Sequence, residues 1–142
     1  MEGQLSVKIS QNVAEIAPEK RKELVTLVYD RMENLSGRLC QLLQEQAINI
    51  SDFNYLQGFW ETPNPGEKIA LMHSELSEAL EGLRGENVSD KLPGFTAVEE
   101  ELADVIIRVL DFTGYYGLRL GQALEMKLKY NVTRPFKHGK NF

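Results

Sequence analysis

The chain has 142 residues, 42% of them apolar and 26% charged, with a net charge of −5. That length suits a single domain, the composition is that of an ordinary soluble protein, and no apolar run approaches the roughly 20 residues of a membrane span. Residues 1–125 hold 11 basic against 21 acidic side chains, a body that repels a polyphosphate backbone and speaks against nucleic-acid binding.

The opening residues, Met-Glu-Gly-Gln-Leu-Ser-Val-Lys, lack the basic start and apolar run of a signal peptide. The single cysteine, Cys40, cannot form an internal disulfide, and a cytoplasmic location is the expectation. Residues 1–16 form an arm in which Leu5, Val7 and Ile9 alternate with polar residues, a pattern that fits a short strand or an ordered segment. The remainder, 17–142, reads as one helical domain. Pro18 suits a helix first turn, and Val28, Met32, Leu35, Leu39 and Leu42 recur at four and three, which predicts a long amphipathic helix to about Ala47. Gly37 inside it marks a bend or a close helix contact. Residues 48–63 read as an aromatic-rich connection. Phe53, Phe59 and Trp60 either plug the end of a bundle or offer a face for stacking on a planar ligand; Trp60 and Phe59 are the stacking candidates.

Asn64-Pro65-Gly66-Glu67 is a helix start with a capping residue, a first-turn proline and an acid at the third position. Ile69, Met72, Leu76, Ala79, Leu80 and Leu83 form its apolar side, and Gly85 can end it. A loop with breakers at Pro93-Gly94 leads to a second capping-box pattern, Thr96-Ala97-Val98-Glu99. The helix that follows has Val98, Leu102, Val105, Ile106, Val109 and Leu110 as its expected buried stripe, and Gly114 and Gly117 terminate or loosen it. A last helix spans about Leu120 to Tyr130. The expected fold is all-α, a four-helix-bundle-like module completed by association into a homodimer or homotetramer.

Two stretches carry chemistry. His73-Ser74-Glu75-Leu76-Ser77-Glu78-Ala79-Leu80 and Glu100-Glu101-Leu102-Ala103-Asp104-Val105-Ile106-Ile107-Arg108 each set two acids one helical turn apart among apolar residues. A half-buried carboxylate is costly unless it is paired or bound to metal. Four of them converging call for a hard divalent cation with oxygen ligands, magnesium or alternatively manganese. Glu81, Glu99 and Glu100 offer other registers, and periodicity alone does not choose among them.

The spacing Glu75-x-x-Glu78, 22 residues, Glu101-x-x-Asp104 resembles the signature of the MazG-like all-α nucleoside triphosphate pyrophosphohydrolases. The ending Lys127-x-x-Tyr130-Asn131-x-x-Arg134-Pro135-x-x-His138-Gly139-Lys140 is similar to the tail of the small integron-associated subtype. The resemblance covers residues 56–142 and implies magnesium held by Glu75, Glu78, Glu101 and Asp104. It also implies hydrolysis of a (deoxy)nucleoside triphosphate to monophosphate and pyrophosphate in nucleotide-pool house-cleaning, with Glu75 or Glu78 as the base. The acid-free tail then has a role: Lys127, Asn131, Arg134, His138 and Lys140 meet the phosphates. The competing expectations are a pyrophosphohydrolase of another phosphorylated metabolite, such as phosphoribosyl-ATP, and a non-catalytic helical interaction protein.

Overall fold

A computed structural model describes residues 15–140, so all but the last two residues of the expected N-terminal arm lie outside the described part. The described chain is all-helical. Four helices follow in order: α1 (Pro18–Leu56), α2 (Pro65–Arg84), α3 (Ala97–Tyr115) and α4 (Leu120–Val132), with a 3₁₀ turn at Phe136–Gly139. No helix among the described residues is long and apolar enough to cross a membrane.

Both capping signals act where the sequence places them. The Asn64 side chain accepts from the Glu67 N–H at 3.2 Å and Pro65 follows in the first turn. Thr96 accepts from the Glu99 N–H at 3.2 Å while the Glu99 carboxylate takes the Thr96 N–H at 2.8 Å, closing a full capping box. These bonds to the first-turn backbone and hydroxyl hold the Glu99 carboxyl below its ordinary range. Gly117, at φ +63°, lets the chain turn out of α3.

Helix α1 departs from expectation at its end. It continues through residues 48–56, which the sequence presents as connection. The reason is tertiary: Ala47 and Ser51, one turn apart, are buried against α3 at Gly114, where the backbones come so close that a Cβ on Gly114 would lie 2.1 Å from the Ala47 carbonyl oxygen. Gly121, at the start of α4, meets the Cys40 backbone similarly, and the Cys40 thiol donates to the Gly121 carbonyl at 2.9 Å. Gly37 makes no such contact and the helix runs through it.

The chain divides into two compact units. One comprises residues 38–124, where α2 packs along α3. The loop of residues 86–95 is fastened to α3: Asn87 accepts from the Val98 N–H at 3.1 Å, Ser89 donates to Glu100, and Lys91 pairs with Glu100 at 2.7 Å. The Lys91 pairing, then the Ser89 hydrogen bond, holds the Glu100 carboxyl below its ordinary range. The other unit joins residues 15–37 to 125–140; in it Arg21 stacks on Phe136 at 3.9 Å and Lys129 links Glu125 to Glu33.

The apolar stripes do not become the core of this chain. Of the residues expected to be buried on α2 and α3, only Ala79 and Leu110 are. Leu76, Leu80, Leu83, Leu102 and Ile106 are all more than 40% exposed, whereas Glu75, Glu100, Glu101 and Asp111 are buried. The two helices turn carboxylates inward and leucines outward.

Candidate metal centre

Helices α2 and α3 bring Glu75, Glu78 and Glu101 together, with one carboxylate oxygen of each lying within 4.8 Å of the others. Glu75 and Glu78 share a side of α2 because they are one turn apart. Glu75 is 5% exposed and Glu101 8%, whereas Glu78 is exposed and takes only a 3.3 Å hydrogen bond from the Ser74 hydroxyl. Arg108 donates from Nε to Glu75 Oε1 at 2.5 Å, and its Nη2 forms an ion pair with the same oxygen at 2.5 Å. Glu101 is hydrogen-bonded to Glu75 through its side chain, yet its Oε2 is buried with no hydrogen-bond partner.

Burial raises the Glu101 carboxyl above its ordinary value; the hydrogen bond to Glu75 and the Glu78 charge push in the same direction. The fold therefore favours the protonated acid. That stabilisation is present below the ordinary value of 4.5 and is lost as pH rises through the raised value. Thermal melts in EDTA across pH 4–8 should accordingly show Glu101→Gln gaining on the wild type as pH rises. Equal slopes for the two proteins would refute the burial of a charged Glu101. Glu99 and Glu100, whose carboxyls are lowered, contribute the opposite slope in both proteins and cancel in the comparison.

The residues fit a hard divalent cation. An orphaned carboxylate oxygen in a buried site costs free energy unless something positive meets it, and Glu101 Oε2 is such an atom. Oxygens on opposite sides of a magnesium ion lie about 4.2 Å apart, comparable to the 4.8 Å within which the three carboxylate oxygens lie. Asp104, half-buried one turn beyond Glu101, is not among the three clustered acids. Glu100, the alternative register, is committed to Ser89 and Lys91.

The other expected site residues are distributed as follows. Trp60 is 3% exposed, stacks on Tyr115 at 3.7 Å, donates from Nε1 to Asp111 at 2.8 Å, and has the Lys68 ammonium 4.3 Å over its ring. Its face is already used, so it serves as an internal plug and not as an open stacking platform. Phe59 is exposed. In the unit of residues 15–37 and 125–140, Lys127 and Arg134 both lie over Tyr130, at 4.9 and 6.0 Å. Asn131 has a buried Oδ1 without a hydrogen-bond partner, and His138 and Lys140 are exposed. Lys137 and His138 hold left-handed backbone, at φ 51° and 53°, which costs about 1 kcal/mol or more per non-glycine residue.

Sequence reasoning passes over Arg108, Asp111 and Tyr115. For Arg108 a signal exists: it stands seven residues after Glu101 and four after Asp104, on the same side of one helix.

Comparison with protein families, with curated proteins and with solved structures finds no match.

Proposed function

We propose that the protein is a magnesium-dependent nucleoside triphosphate pyrophosphohydrolase, with the centre built from Glu75, Glu78 and Glu101 and with Asp104 at its edge. The observation that carries this is the buried, unpartnered Glu101 oxygen in a three-carboxylate cluster whose one basic partner among the described residues, Arg108, is paired with Glu75. The resemblance of both acidic stretches and of the basic tail to the MazG-like enzymes points the same way.

Magnesium bound there supplies charge neutralisation of phosphate oxygens and a lowered pKa for attacking water. The chain's own side chains do the rest. Glu78 is the better base of the two candidates: it is exposed and held only by Ser74, whereas Glu75 is occupied by Arg108 and Glu101. A water proton passes to the Glu78 carboxylate as its oxygen bonds to the α-phosphorus, and pyrophosphate departs with the electrons of the broken anhydride bond. Phe59, exposed beside the buried Trp60, is the remaining stacking surface for a base.

The outward leucines of α2 and α3 belong to the same proposal. A bundle-like module that leaves Leu76, Leu80, Leu83, Leu102 and Ile106 open is completed by a second copy. Assaying pyrophosphate release from a panel of canonical and modified triphosphates with magnesium tests the activity. Turnover of at least one, abolished by EDTA, is expected; no turnover of any, or turnover indifferent to EDTA, sinks the proposal.

A further inference from the structure

Arg108 is poised between two partners. Among the described residues it is the basic side chain hydrogen-bonded to the acid cluster: Nε donates to Glu75 Oε1 at 2.5 Å, and Nη2 is paired with the same oxygen at 2.5 Å. The guanidinium crowds that oxygen with a charge-assisted hydrogen bond and an ion-pair contact, so a hard cation that takes it competes with the guanidinium. The burial of the pair is lopsided: the Glu75 side chain is 7% exposed and that of Arg108 38%. The arginine thus keeps part of its side chain open to solvent while the acid it holds is buried. It also keeps N–H donors on the guanidinium beyond the Nε–H that it uses. Arg108 lies two turns beyond Glu101 on the same side of α3, and its pairing with Glu75 puts it at the edge of the acid cluster.

We propose that Arg108 is an exchanging cation: it holds Glu75 while the seat is empty, and turns to a phosphate oxygen of the substrate when a divalent ion takes Glu75. This rests on the metal reading above and adds a phosphate-binding residue from α3. The other cations with acid partners in the same unit are differently employed. Lys91 is paired to Glu100 and Arg84 to the exposed Glu81, neither of them a member of the cluster.

The exchange predicts opposite signs for two affinities. With the full chain stripped of metal, calorimetry of Mn²⁺ binding should show Arg108→Met binding about tenfold more tightly than wild type, since a charge-assisted competitor is gone. With Mn²⁺ saturating, pyrophosphate should bind the same variant at least about tenfold more weakly, for loss of the same kind of bond. Arg108→Lys, which keeps the charge but not the fork, should move both affinities in those directions by about threefold. If circular dichroism finds Arg108→Met unfolded, the lysine variant carries the test. Mn²⁺ affinity that is unchanged or weakened, or pyrophosphate affinity that is unchanged, in a folded variant overturns the assignment, because a purely structural ion pair predicts that pattern. Wild type that binds no Mn²⁺ overturns the metal reading and this assignment with it, whereas Mn²⁺ binding indifferent to Arg108 overturns the assignment alone.

Discussion

Gly114→Ala should destabilise the protein by about 3 kcal/mol or more, at the upper end for overpacking. A Cβ there would stand 2.1 Å from the Ala47 carbonyl oxygen, 2.6 Å from its carbonyl carbon and 2.8 Å from the Ser51 Cβ. The first two obstacles are backbone, so no side chain can swing away, and α1 has to separate from α3. That separation strips cover from Ala47 and Ser51. Gly37→Ala is the matched control. Nothing lies within 4 Å of a Cβ at that position, inside α1, and alanine in a helix interior is favoured over glycine by roughly 0.5–1 kcal/mol. Urea denaturation of the two variants should move the midpoints in opposite directions. A Gly114→Ala protein as stable as wild type would show that α1 and α3 do not approach at this point.

Glu101→Gln should cost about a hundredfold or more in magnesium-dependent activity, the scale expected when an essential charge for metal-assisted catalysis is removed, while the protein stays folded. Glutamine keeps the shape and loses the charge. In the metal-free protein that loss is a relief, because Glu101 Oε2 is buried without a partner and its neighbours are Glu75 and Glu78. Activity and stability therefore move apart: turnover falls, and the melting temperature in EDTA at neutral pH rises. A structural acid would behave the other way, with stability falling and metal affinity untouched. Measuring both quantities on one preparation separates the cases. Asp104→Ala gives a graded comparison, since Asp104 is outside the clustered three and its loss should weaken metal binding less than that of Glu101.

The sequence makes the helices and their caps readable because those signals are local. Asn64 and Thr96 need only their own first turns. For the acids, one-turn spacing leaves the register open and the resemblance supplies it; α2 packed along α3 brings Glu75, Glu78 and Glu101 together, without the expected Asp104. What escapes is decided between elements. Helix α1 continues past Ala47 because a glycine 67 residues later lets two backbones meet. The stripes on α2 and α3 have the right period but the opposite destination: period says which residues share a face, not whether that face meets this chain or another. From its residue type Trp60 reads as either a plug or a stacking platform, and only the positions of Tyr115, Asp111 and Lys68 reveal that its ring is taken. Glu100 differs from Glu101 by a single residue, about 100° around the helix, and that rotation sends one to Lys91 and the other to Glu75.

The central claim is that water, activated beside Glu78, attacks the α-phosphorus of a triphosphate bound at the acidic centre. Hydrolysis in ¹⁸O-labelled water with magnesium, followed by phosphorus NMR, reads the attacked atom directly. The account predicts label in the nucleoside monophosphate and unlabelled pyrophosphate, both absent with Glu101→Gln. Label in orthophosphate with a diphosphate product, or labelled products formed equally well by Glu101→Gln, would contradict it.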